Sequence, residues 1–143
     1  MITSSYLKSR LVIGALTLLF QGVDSSSAQE AAPAVTKAIT EASKSDGIKL
    51  SPKAVVRIGL KTIPYSPAAT LTLQSGAIVH SLGITGIYRL RDGWYKLIPV
   101  TLLSKGKETM TLKVTDFRNT DQIVTEGVAL LRVAEMDAFG GGE

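Results

Sequence analysis

Residues 87–100, "IYRLRDGWYKLIPV", decide how this chain folds. Two runs of strand-like composition flank Asp92-Gly93. An Asp-Gly pair in that place favours a two-residue type I′ turn, because both residues tolerate the positive φ it requires. With the pair in the loop, Arg91 faces Trp94 across the hairpin, Leu90 faces Tyr95, Arg89 faces Lys96 and Tyr88 faces Leu97. Cross-strand partners share a face, and faces alternate along a strand. One face is therefore Tyr88, Leu90, Tyr95 and Leu97, and the other is Arg89, Arg91, Trp94 and Lys96. A slip of one residue would mix charge into the apolar face, so the pattern selects this register. Both tyrosines are expected in the core.

Trp94 is then displayed among three cations. Arg89 opposite Lys96 is a like-charge pair, and stacking of Arg91 on Trp94 is expected to offset part of its cost. Such a face reads in two ways: as a solvated basic surface, or as a docking patch for an anionic or protein partner, since Trp with Arg is typical of interface hot spots. The candidate partner-binding residues are accordingly Arg89, Arg91, Trp94 and Lys96. Past Lys96 both faces turn apolar, which sends the strand into the core. Pro99, which has no N–H, belongs at an edge or a bulge.

Outward from the hairpin the period of two continues. "ATLTLQ" (69–74) alternates, and "GAIVHSL" (76–82) is a short apolar run. "LLSKGKETMTLKV" has a Gly-containing turn at 104–108, and "DQIVTEGVALLRV" (121–133) has a turn at Glu126-Gly127 between two strand-like runs. Met110, Leu112 and Val114 share one face while Thr109, Thr111 and Lys113 share the other, as in an antiparallel sheet with one wet side. Before these, "LSPKAVVRIGLKT" (50–62) opens with a helix start: Ser51 as cap and Pro52 at the first helical position. Gly59 ends that short helix, whose buried contacts are expected to be Val55, Val56 and Ile58. The fold class that follows is mainly β, a small antiparallel barrel or sandwich with one short helix.

The first residues do not belong to that domain. "MITSSYLKSRLVIGALTLLFQGVDSSSAQE" has a basic start (Lys8, Arg10), an apolar run at 11–20, then small residues with Ser26 and Ala28 at the −3 and −1 positions of a cleavage site. This is the order of a secretory signal, and the run falls short of the ~20 residues a spanning helix needs. Cleavage after Ala28 predicts an exported, periplasmic chain without a membrane span. Residues 29–47 read as an Ala/Ser/Thr-rich linker with one or two weak helical turns within 35–42, residues 48–136 as the β-domain, and residues 137–143 as a flexible tail.

The chain has 143 residues, a net charge of +4, no cysteine and one histidine. The charge excess is too small and too dispersed for nucleic-acid binding. Zinc fingers and structural disulfides are excluded by composition. There is no nucleophile elbow, phosphate loop or zinc-protease motif, and His80 lies within an apolar strand-like run. The acids Asp116, Asp121, Glu126, Glu135 and Asp137 are spread over turns and ends. The expectation is a non-enzymatic protein without cofactor or metal.

Three stretches, in order, resemble the membrane-proximal β-domain of bacterial periplasmic adaptor subunits, the membrane fusion proteins of resistance–nodulation–division efflux systems. They are "GIKLSPKAVVRIGLKTIPYSP", "AIVHSLGITGIYRLRDGWYKLIPVTLL" and "FRNTDQIVTEGVALLRV", the last with Asp121, Val124 and Gly127 on the recognisable positions. The resemblance implies an exported accessory protein that binds an inner-membrane transporter or a full-length adaptor, with the Trp94 hairpin as docking surface. The family's lipoyl-like domain, helical hairpin and further barrel are replaced here by "AATLTLQSG", so this chain cannot bridge two membranes. The alternative is a small periplasmic ligand or metal carrier on the same domain.

Overall fold

A computed structural model describes residues 37–81 and 83–140; the expected signal and its cleavage site lie outside these residues. Within them ten strands and two α-helices follow in order, with a 3-10 turn at Ser75–Ala77 between the fourth and fifth strands: β1 (Ile39–Ser43), β2 (Gly47–Leu50), α1 (Pro52–Ile58), β3 (Lys61–Pro64), β4 (Leu71–Gln74), β5 (Ile78–Ser81), β6 (Ile84–Arg91), β7 (Trp94–Pro99), β8 (Thr101–Lys105), β9 (Thr109–Lys113), β10 (Gln122–Glu126) and α2 (Val128–Gly140). The protein is mainly β. Its strands form a seven-stranded antiparallel sheet, ordered β1-β2-β7-β6-β10-β3 with β5 also on β6, and a three-stranded sheet, β4-β9-β8. The sheets stack in a sandwich-like arrangement and do not close into a barrel.

Alternation along the central strands builds two cores at once. Ile78, Ile87 and Ile123 point to the three-stranded sheet and meet Leu73, Met110 and Leu112. Their chain neighbours Val79, Tyr88 and Val124 point the other way and meet Ile48, Tyr95, Val128 and Leu131. The large sheet is therefore the middle layer, with α2 on one side and the small sheet on the other.

The β6–β7 hairpin has the register read from its sequence: Arg91 pairs with Trp94, Leu90 with Tyr95, Arg89 with Lys96 and Tyr88 with Leu97. Asp92 and Gly93 adopt φ of 51° and 81°, the positive pair a type I′ turn needs. Tyr88 is fully buried and Tyr95 nearly so. The helix signals hold as well. Ser51 Oγ accepts from the Ala54 N–H at 3.2 Å, and Gly59 closes α1 in the left-handed region. Ser51→Ala should therefore cost about 1 kcal/mol, read as a lowered urea midpoint with an unchanged slope. Val56 departs from expectation: it is 80% exposed, and Ala54 is the buried residue of that helix.

Residues 39–47 are not linker, and the weak helix expected within 35–42 is a strand from Ile39 onward: β1 pairs with β2 from Ile39–Leu50 to Ser43–Gly47. Ile39 packs on the core, and Ser43, Ser45 and Asp46 hydrogen-bond one another across the turn. Cross-strand pairing overrides a weak helical preference there. After Gly127 the chain is helical, so the second strand-like run of 121–133 and residues 137–140 of the expected tail form α2. Its buried positions Val128 and Leu131 and half-buried Ala134 and Ala138 follow a helical period that short apolar runs conceal. Among the described residues there are thus two α-helices where one helix was expected. The strand beyond Lys96 enters the core as expected, with Ile98 buried and Leu97 packed on the inner cluster, but it does not continue there. It ends at Pro99, and after Val100 the chain crosses to the small sheet, where every residue of β8 is exposed.

Candidate functional site

The polar face of the β6–β7 hairpin is the expected site, and the structure covers much of it with residues 114–121. Arg89 lies only 6% exposed. Its Nη1 donates to the Asp116 carboxylate at 2.8 Å and to the Asp116 carbonyl at 2.7 Å. Arg91 forms a two-point fork on Asp121, with Nε to Oδ1 and Nη2 to Oδ2 both at 2.7 Å. Nη2 also reaches the Asp116 carbonyl at 3.1 Å. Paired donors of this kind match a carboxylate edge and are among the stronger hydrogen bonds a protein makes.

Asp121 is the hub. It is fully buried, and its Oδ2 accepts from the Arg118 backbone N–H at 2.7 Å. Its own N–H bonds the Arg118 carbonyl, and its carbonyl takes the Tyr65 N–H, both at 2.9 Å. Burial pushes the Asp121 carboxyl up, but the Arg91 fork and the Arg118 amide outweigh it and hold the group below the usual carboxylate value. The hydrogen bond from Arg89 likewise holds Asp116 down. Both arginines are thus neutralised inside the domain, contrary to the solvated basic face expected from the sequence. The like-charge pair across the hairpin is relieved in the same way: Arg89 turns to Asp116, and Lys96 donates to the Ser45 carbonyl.

Trp94 remains half-exposed. The cation over its ring is not Arg91 but Lys49, whose Nζ lies 4.6 Å from the ring centroid while bonding Glu41 at 3.0 Å. Of the four candidate residues, then, Trp94 and Lys96 stay at the surface, and Arg89 and Arg91 serve the interior. Asp116 and Asp121 stand 25–30 positions from their arginines, so no local spacing marks the pairing in the sequence.

On the opposite face Tyr88 donates to Glu135 at 2.6 Å, and Arg132 donates to the same carboxylate at 2.6 Å, fastening α2 to the sheet. Burial and the Glu135 carboxylate raise the Tyr88 hydroxyl far above its ordinary range. His80 is exposed on β5 and bonds Thr85 Oγ1 at 3.1 Å. A concavity of about 310 Å³ lies between the sheets, lined by Ile63, Thr72, Leu73, Gln74, Thr125 and Glu126 among others. Among the described residues no three His, Cys, Asp or Glu side chains gather as a metal site, and no helix is long and apolar enough to cross a membrane. Compared with protein-family models, curated proteins and solved structures, the chain finds no match in any of the three.

Proposed function

We propose that this chain is a stand-alone, non-enzymatic exported accessory domain that binds a membrane transporter or a full-length periplasmic adaptor, in the manner of the adaptors' membrane-proximal β-domain. One observation carries the reading. The three stretches that bear the resemblance, separated by residues 68–76 and 104–116, supply neighbouring strands of one sheet. The first gives β2 and β3, the second β5, β6 and β7, and the third β10. The strands outside those stretches are the edge strand β1 and the small-sheet strands β4 and β9, with β8 lying across the end of the second stretch.

The docking surface on this reading is Trp94 with Lys49 and Lys96, since Arg89 and Arg91 are spent on internal pairs. Arg91→Glu is therefore a poor probe of docking, because it breaks the Asp121 pair. Trp94→Ala is the cleaner one. Affinity capture from detergent-solubilised membranes should recover a transporter component or a complete adaptor. A central aromatic anchor is worth at least about 2 kcal/mol, so Trp94→Ala should reduce recovery by more than tenfold. Equal recovery by the two forms would remove the proposed surface.

A further inference from the structure

The small sheet ends in a hairpin that none of the preceding roles uses. Strand β8 is an edge strand, paired only with β9, and all five of its residues are exposed. Leu102 and Leu103 are 38% and 50% exposed, and the strand register breaks between Leu102 and Ser104, where Leu103 sits in a bulge. Three cations share the hairpin: Lys105 at the end of β8, Lys107 in the turn, and Lys113 opposite Thr101. None of them forms an ion pair among the described residues, whereas Arg89, Arg91, Arg132, Lys49 and Lys61 all do. Glu108 is the one acid between Thr101 and Lys113.

From this juxtaposition we infer that the β8–β9 hairpin is a foot that rests on an anionic lipid surface. Leu102 and Leu103 enter the headgroup boundary, and Lys105 and Lys107 beside the turn meet lipid phosphates. Charge complementarity decides the occupant. Lysine stems can bury their methylenes beside Leu102 and Leu103 while the ammonium groups stay in the polar layer. A basic, leucine-bearing surface with three lysines against the single acid Glu108 suits an anionic bilayer. A protein partner would call for aromatic or arginine anchors, and this hairpin has neither. The inference is independent of docking at Trp94, which projects from a different strand pair of the other sheet.

The chain lacks cysteine, so a single introduced thiol can be labelled uniquely. Leu103→Cys carrying an environment-sensitive fluorophore should brighten and shift to the blue with phosphatidylglycerol-containing vesicles. Pure phosphatidylcholine should leave it nearly unchanged, and high salt should reverse the response. The same label at Val133→Cys on α2 should not respond, which separates the hairpin from any binding by other parts of the chain. Each lysine near such a surface is worth about a fivefold change in binding, so K105E/K107E in the labelled chain should weaken it by roughly 25-fold or more. Circular dichroism should show the native fold in all three variants. A silent label at position 103, an equal response to neutral vesicles, or insensitivity to K105E/K107E would overturn the inference.

Discussion

Asp121→Ala is expected to destabilise the domain by about 3–5 kcal/mol, because it removes one partner of a buried ion pair and strands the other. The Arg91 side chain is 16% exposed, so partial hydration places the cost toward the lower end of that range. The Arg118 amide and the Arg91 fork lose their acceptor together, which leaves the Asp116 contacts as the hydrogen bonds from the hairpin arginines to this segment. For a domain of this size the melting temperature should fall by more than about 10 °C. Asp121→Asn keeps an acceptor for the amide but discards the charge, and should fall between the native chain and the alanine variant.

The same carboxylate gives the domain an acid limit. Its folded pKa lies below the ordinary value of 3.8, as does that of Asp116. A depressed carboxylate contributes its full stability above the unfolded value and loses it as pH falls through the folded value. Stability measured by urea unfolding should therefore hold from neutral pH down to about 4 and decline below it. The native chain should decline more steeply than Asp121→Asn. An identical acid profile in the two would show that the Arg91 pair does not persist in solution.

Gly47→Ala should be nearly as damaging. Gly47 has φ of +100°, and a methyl group there would sit 2.1 Å from the Tyr95 carbonyl oxygen and 2.8 Å from its carbon. Both obstacles are backbone, so no side chain can swing aside. Strain of about 1–3 kcal/mol for the conformation adds to the cost of moving β2 away from β7. That movement also disturbs the Lys96 bond to Ser45 and the Lys49 contact with Trp94. The expected total is about 3 kcal/mol or more, with faster amide exchange in β2 and β7 than in β9. Unchanged exchange at the Ile48–Tyr95 pairing would contradict the close approach.

The features legible in the sequence share one property: they are local. Asp92-Gly93 fixes a register by its own backbone preference, and alternation on either side names the buried tyrosines. Ser51, Pro52 and Gly59 mark a helix within ten residues. What escaped depends on contacts made at a distance. β1 has little apolar content of its own and exists because β2 pairs with it. α2 resembles a buried strand because it is apolar on most sides, with Leu130, Val133 and Met136 outward and Leu131 inward. The site was half legible for the same reason. Trp94 and Lys96 follow from the hairpin's parity, but the fate of Arg89 and Arg91 rests on two aspartates brought in by a later loop. A count of free cations overstated a surface that the fold had already neutralised.

On the proposed function, the Trp94 end of the hairpin meets a membrane-protein partner. Site-specific photo-crosslinking tests it most directly, with a photoreactive residue at position 94 and a control at position 133 on the far layer. The expected result is a discrete adduct at 94 that mass spectrometry identifies as a transporter component or a full-length adaptor, with no such adduct at 133. No adduct at 94, or the same adducts at both positions, would contradict it.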